Sequence, residues 1–351
     1  MSTIHQWPTA SDDATPALRT AVDYLLSQPE ELGVTQALLV AQGGRIIAEG
    51  YGPEITAETT LISWSMAKSV TQNLFGLMAA DGLLNVDDPA PIAEWASDER
   101  AAITIRDLLA MRSGLRFIED YVDDSISHCI DMLFGAGKDD VAGYAASHPL
   151  EHPVGSLFSY SSGTTNILCR IASQLLGPGP DGVGRYLNER LFGPLGMTSA
   201  TPKFDAAGTF IGSSFLYATA RDFARFGEFN RLDGVWGGQR MLPEGWVSYA
   251  RTPTPVPETE NYGYGAQWWL WPWTDSFAAH GFEGQRILIV PEAELVVVRL
   301  GKTPESANPA LRSAIEAIVH AVIDSSGTSQ GTLNGVGNGV VNRNSVAGSL
   351  S

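Results

Sequence analysis

The sequence predicts an α+β fold: one antiparallel sheet flanked by helices, with a mostly helical region inserted between its halves. Three observations predict it. Apolar, strand-like runs bounded by turn residues occur near residues 36–51 and again near 277–300. Helical apolar spacing dominates the stretch between them, roughly 65 to 230. Helix-type patterns also lie at the outer ends of both strand-rich segments, where they would pack on the sheet.

Each element has a local reason. Thr15-Pro16 opens a helix with proline at the first helical position, where its missing N–H costs nothing. Leu18, Val22, Leu25 and Leu26 give that helix one apolar face. Gln36 to Gln42 and Arg45 to Tyr51 are split by Gly43-Gly44, a hairpin signal. The next helix begins near Ser65, carries a stripe of Met66, Val70, Leu74 and Leu77, and ends at Gly82. Thr104 with Asp107 makes a capping-box-like start for Ile105 to Met111, and Ser113-Gly114 stops it. Phe277 to His280, Gln285 to Val290 and Leu295 to Leu300 are the late strands, with Pro291-Glu292 turning the second into the third. Asn308-Pro309 opens a last helix with Leu311, Ile315, Ile318 and Val322 on one face. The expected domain spans residues 1–324, its sheet halves at about 15–60 and 260–324. From about Ser325 to Ser351 the chain turns to Gly, Ser, Asn and Thr without aromatics, which predicts a flexible tail.

Composition narrows the function. The 351 residues are 44% hydrophobic and 17% charged, the balance of a chain with a real core. A formal net charge of −17 repels phosphate backbones and argues against a nucleic-acid partner. No uncharged apolar run approaches the roughly 18 residues that would span a bilayer. Met1 to Ala10 lacks the basic-then-apolar pattern of a secretory signal, so the expected location is cytoplasmic, without a membrane partner. Cys129 and Cys169 read as reduced core thiols rather than a disulfide framework. A homodimer is compatible with the sequence.

The chemistry-bearing element is Ser65-Met66-Ala67-Lys68, a Ser-x-x-Lys run at a helix start. Residues three apart on a helix share a face, so the Lys68 amine reaches the Ser65 oxygen. A serine hydroxyl needs a base to attack at neutral pH, and a lysine serves if burial or a neighbouring cation lowers its pKa. The helix N-terminus adds a dipole and unpaired N–H groups suited to an oxyanion.

Distant segments give this short motif its context. Pro153-Val154-Gly155-Ser156-Leu157-Phe158-Ser159-Tyr160-Ser161-Ser162 resembles the second motif of the serine β-lactamase superfamily. That superfamily spans class C β-lactamases, D-Ala-D-Ala peptidases, family VIII esterases and 6-aminohexanoate-dimer hydrolases. Thr104 to Leu109 followed by Ser113-Gly114-Leu115, Leu191 to Met197, and Ala218 to Gly227 are similar to further family segments in the family's order. The resemblance covers about Gln36 to Leu300 and implies a β-lactamase/transpeptidase-like fold. It also implies that Tyr160 is the phenol that relays a proton between Ser65 and the leaving group. The third family motif resembles Ala279-His280-Gly281-Phe282-Glu283-Gly284-Gln285, with His280-Gly281 as its His variant on a sheet-edge strand. By that likeness His280 would touch substrate, and the N–H of Phe282 or Glu283 would be the second oxyanion donor.

The departures matter too. Class C β-lactamases carry Tyr-x-Asn where this chain has Ser162; by that likeness Ser162 would touch substrate, though it offers only a small hydroxyl. The lysine that holds a lactam carboxylate is also replaced. The nearest likeness is to the 6-aminohexanoate-dimer hydrolase and carboxylesterase branch, whose segment resembling Glu119-Asp120-Tyr121-Val122-Asp123 implies a leaving-group contact for Tyr121. Gln267-Trp268-Trp269 and Gly284-Gln285 resemble that branch as well, with Trp268 or Trp269 as a pocket wall.

Two other signals carry less. Gly327-Thr328-Ser329-Gln330-Gly331 matches a nucleophile-elbow pattern but sits in the expected tail. His148 and His152 have metal-ligand spacing, yet Pro149 and Pro153 oppose a helix there and no third ligand is apparent. The expectation is therefore a hydrolase acting on a small ester or amide, with no metal or organic cofactor. The rivals are a penicillin-recognising β-lactamase or peptidase and a non-enzymatic binding module on the same scaffold.

Overall fold

The computed structural model describes residues 14–121, 126–256, 262–271, 273 and 275–326. Met1–Ala10, the elbow-like Gly327–Gly331 and the expected tail from residue 327 onward lie outside the described residues.

The first helix, α1, spans Pro16–Leu26, with Thr15 capping it by accepting from the Leu18 N–H. Strands β1 (Val34–Gln42) and β2 (Arg45–Tyr51) form the hairpin. Gly43 and Gly44 turn it with φ of 55° and 75°, a conformation that glycine adopts without steric cost. Helix α2 is Ala67–Ala80 and ends at Gly82, whose φ is 71°. Helix α3, Ile105–Leu109, begins in the expected capping box, with Thr104 and Asp107 each accepting the other's backbone N–H. Such a cap stabilises by about 1 kcal/mol. It stops earlier than the sequence suggested, at Ala110, because Met111 turns left-handed with φ 57°. Helices α4 (His128–Phe134), α5 (Val141–Ala146), α6 (Ser162–Leu176) and α7 (Ala220–Arg231) follow.

The late strands are β3 (Gly263–Tyr264), β4 (Trp269–Leu270), β5 (Phe277–Gly281), β6 (Gln285–Val290) and β7 (Leu295–Lys302). They join the early hairpin in one seven-stranded antiparallel sheet of order β2-β1-β7-β6-β5-β4-β3. Helix α8 runs Asn308–Ser326, so Ser325 belongs to that helix rather than to the tail.

The sheet is buried on both faces, which explains its near-continuous apolar strands. Leu38, Val40, Leu288, Val290, Leu295 and Val297 pack against Leu18, Val22 and Leu25 of α1 and Leu311, Ile315 and Ile318 of α8. Leu39, Ala41, Ile287, Ile289, Val296 and Val298 face the opposite core with α2 and α7. Neighbouring side chains along a strand thus serve different cores.

The expected stripe of Met66, Val70, Leu74 and Leu77 lies in the core, and burial extends all round α2 from Ala67 to Met78, because the helix lies between the sheet and the inserted helical region. That region also holds a small three-stranded sheet of Leu61–Ile62, Leu216–Ala218 and Thr201–Pro202. Strands of two or three residues are too short to show period-two alternation.

Among the described residues no helix is long and apolar enough to cross a membrane. Both cysteines are free and buried.

Candidate active site

Ser65 sits in a 3-10 turn, Trp64–Met66, that leads directly into α2. The residue before it, Trp64, has φ 44°, a region costly for a bulky side chain. Surrounding contacts hold it there: the Ser63 N–H donates to Leu216 O at 2.8 Å, and the Trp64 ring packs on Phe215 and Phe282. Strain of this kind collects where a side chain must be aimed.

One turn further, Lys68 is only 2% exposed. Its Nζ meets three neutral oxygens: Ser65 Oγ at 2.9 Å, Ser162 Oγ at 2.9 Å and Ser213 O at 3.0 Å. The hydrogen-bond inventory orients this cluster. A carbonyl only accepts, so one Lys68 proton points at Ser213. The Ser162 hydroxyl donates to Glu119 Oε1 at 2.5 Å, so its oxygen accepts a second Lys68 proton. The third direction faces Ser65, where a proton is free to move either way.

Glu119, to which the sequence assigns no role of its own, is the hub of this cluster. It accepts the Ser162 hydroxyl, the Ser162 N–H at 2.7 Å and the Tyr121 phenol at 2.5 Å. No local signal marks it, since its main partner lies 43 residues away.

Tyr160 stands just before the start of α6, whose cap is Ser161 accepting from Thr164 N. Its ring lies 4.8 Å from Lys68 Nζ and is held between Tyr264 and Trp269. Burial pushes its phenol above the usual range, and Glu119 adds to that push. The Lys68 charge and contacts with Ser65 and Lys68 act in the opposite direction. Burial and the Glu119 charge raise the Tyr121 phenol too, so it stays a neutral donor to that carboxylate.

The opposite wall is the end of β5. A Cβ on Gly281 would lie 2.3 Å from the Ser63 carbonyl, so only glycine lets the strand approach the nucleophile turn this closely. Phe282 follows, 41% exposed at the lip of the cleft.

His280 stands at the cleft, where the likeness put it. Its Nε2 accepts the Trp271 indole N–H at 2.8 Å, and its ring is stacked on Trp269. It borders the cleft, yet burial, with help from Arg286 and Arg312, pushes its pKa well below the ordinary value. It is a neutral wall whose outer nitrogen is already taken. Nor is β5 an edge strand, because β4 and β3 extend the sheet beyond it. That pairing covers only Phe277 and Ala278, which leaves the His280–Gly281 end open toward the cleft.

Ser162 requires a correction. Its hydroxyl is spent between Lys68 and Glu119, and it is 1% exposed, so it does not face substrate space. The two tryptophans divide: Trp269 borders the cleft, whereas Trp268 is fully buried and stacked on Phe226. Gln267 is a buried brace, donating to Leu109 O and accepting from Thr165. Tyr121 borders the cleft, but its hydroxyl is directed to Glu119. Val122 and Asp123 of its segment lie outside the described residues.

Ser65, Tyr121 and Phe282 line two adjoining cavities of about 540 and 220 Å³. Tyr160, Trp269 and His280 border only the larger. Among the described residues no group of three or more His, Cys, Asp or Glu is arranged to hold a metal ion.

Comparison with known proteins identifies the family and the fold. The profile of the family described as Beta-lactamase matches residues 30–321. A 6-aminohexanoate-dimer hydrolase from Paenarthrobacter ureafaciens is 24% identical over 332 residues, covering 85% of this chain and 83% of the relative. A solved candidate 6-aminohexanoate-dimer hydrolase from Bacillus anthracis superposes with a TM-score of 0.77 at 21% identity, over 93% of this chain and 89% of that one. A family VIII carboxylesterase has a TM-score of 0.69 at 14% identity, over 90% and 99% of the two chains. These solved structures share the fold.

Proposed function

This chain belongs to the Beta-lactamase family, and on that premise we propose that it is a serine hydrolase that cleaves a small ester or amide through an acyl-enzyme on Ser65. The reading rests on one observation: Ser65 Oγ lies 2.9 Å from an otherwise saturated Lys68 amine, beside the Tyr160 phenol, at the junction of two cavities.

In this mechanism Ser65 attacks the carbonyl carbon and gives its proton to Lys68, whose two other positions are fixed by Ser213 and Ser162. The oxyanion lies between the N–H groups of Ser65 and Phe282. Tyr160, in contact with Lys68, passes the proton to the departing oxygen or nitrogen. Water then enters, loses a proton along the same route and releases the acid. A family relative is named for an amide substrate and a structural neighbour for ester cleavage, so both bond types fall within the proposal.

The test is labelling by a fluorophosphonate together with turnover of p-nitrophenyl butanoate. Wild type is expected to label and turn over, and Ser65→Ala to do neither. Equal labelling of both proteins overturns the reading. Nitrocefin run in parallel separates this activity from a lactam-cleaving one.

A further inference from the structure

The two cavities that meet at Ser65 differ in chemistry. The smaller, about 220 Å³, is walled by Cys129, Ile130, Leu133 and Phe134 of α4 together with Trp64 and Phe282. Apart from Ser65, Ser214 and Tyr121, every lining side chain is apolar or a thiol. Cys129 is held as a neutral thiol, its pKa raised by burial and by Glu119. The larger cavity carries Glu283, Arg286, Glu305 and Asn308.

Tyr160 breaks the symmetry between them. A general acid must reach the atom it protonates, and Tyr160 borders the larger cavity and not the smaller. The leaving group therefore departs into the polar cavity. The substituent on the other side of the carbonyl carbon is then directed past Phe282 into the apolar one.

We propose that the α4 cavity is an acyl-chain site, and that the enzyme selects uncharged aliphatic acyl groups of intermediate length joined to polar leaving groups. This rests on the Ser65 reading above. In the step concerned, the bond from the carbonyl carbon to the leaving oxygen or nitrogen breaks and a bond to Ser65 Oγ forms. The serine proton ends on the leaving group, and water later restores it as the acid is released. A volume near 220 Å³ holds roughly seven groups of about 30 Å³ each, the size of a water or a methylene. A carboxylate on the chain would be stranded there, since among the described residues no lysine, arginine or histidine lines the cavity.

The experiment compares kcat/KM for p-nitrophenyl acetate, butanoate, hexanoate and decanoate, with the mono-p-nitrophenyl ester of adipic acid as an anionic analogue. The expected result is a rise of about fourfold per added methylene up to hexanoate, then a fall at decanoate. The anionic ester should run at least about 100-fold below hexanoate. Leu133→Trp, which fills the cavity, should collapse the hexanoate-to-acetate ratio toward one. If that variant does not fold, Ile130→Trp at the rim carries the same expectation. A flat or acetate-favouring series with turnover still dependent on Ser65 overturns the cavity assignment alone. An unchanged ratio in the folded filling variant does so too. Turnover that survives Ser65→Ala overturns the Ser65 reading and the assignment with it.

Discussion

Lys68 and His280 approach the cleft from opposite walls, and both are nearly buried bases. Their surroundings differ in what the nitrogen atoms touch. The Lys68 amine has two positions fixed by acceptors, Ser213 O and Ser162 Oγ, and a third aimed at Ser65. The outer nitrogen of His280 is closed by a donor that has no other function, the Trp271 indole N–H. Behind Lys68 stands a carboxylate, one hydroxyl away through Ser162. Behind His280 stand Arg286 and Arg312, which disfavour a second cation. A basic residue beside a nucleophile is therefore not a base until its hydrogen-bond partners leave a path for the proton.

The largest test of that contrast is removal of each base. Lys68→Ala is expected to lower kcat for an ester by at least about a thousandfold, within the span of general-base effects. Lys68→Arg should not restore it, because a guanidinium does not give up its proton. His280→Gln keeps an acceptor for Trp271 and should cost less than about tenfold. Steady-state turnover of folded proteins, checked by circular dichroism, reads both. A His280 variant as impaired as the lysine variants would erase the distinction.

The sequence makes the first wall far more legible than the second. Ser65 and Lys68 are three residues apart on one helix, so local periodicity alone pairs them. Tyr160 was reachable through its surrounding motif, and the single sheet through apolar runs at both ends of the chain. The role of Glu119 was not reachable, since it arises from contacts with Ser162, 43 residues on. Ser162 was aimed at substrate by analogy with an asparagine, but a shorter side chain at that position is captured by Lys68 and Glu119 instead. His280 does border the cleft, but its Nε2 is occupied by Trp271 of a neighbouring segment, a contact that local sequence does not show.

The middle-sized effect concerns the carboxylate behind Lys68. Glu119→Gln removes the charge and allows an amide N–H to face the Ser162 hydroxyl, which unfixes one of the lysine's acceptors. Hydrogen bonds to charged groups contribute about 1.5–3 kcal/mol, equivalent to roughly 10- to 100-fold in rate. The expected loss in kcat lies in that range, with KM little changed and the pH profile of kcat displaced. A profile superposable on wild type would assign Glu119 a purely structural place. Tyr121→Phe deletes a single donor to the same carboxylate and should cost less than about tenfold, with any shift in the profile smaller than that of Glu119→Gln.

The smallest effect appears in stability rather than rate. His280 is neutral in the folded protein because its pKa lies well below the ordinary value, chiefly through burial. In the unfolded chain it titrates near its usual ~6.5. Above that pH both states are neutral and the residue contributes no pH dependence. As pH falls below it, the unfolded chain takes up a proton that the native protein refuses, so stability declines. One such group has a limiting slope of about 1.4 kcal/mol per pH unit until the folded-state pKa is reached. His280→Gln abolishes this uptake while keeping an acceptor for the Trp271 N–H. Urea unfolding of wild type and variant at pH 7.5, 6.5 and 5.5 should therefore show the two converging as pH is lowered, the wild type losing more. Parallel losses in both proteins would mean that His280 takes up its proton equally when folded and unfolded, and that the wall around it is not sealed.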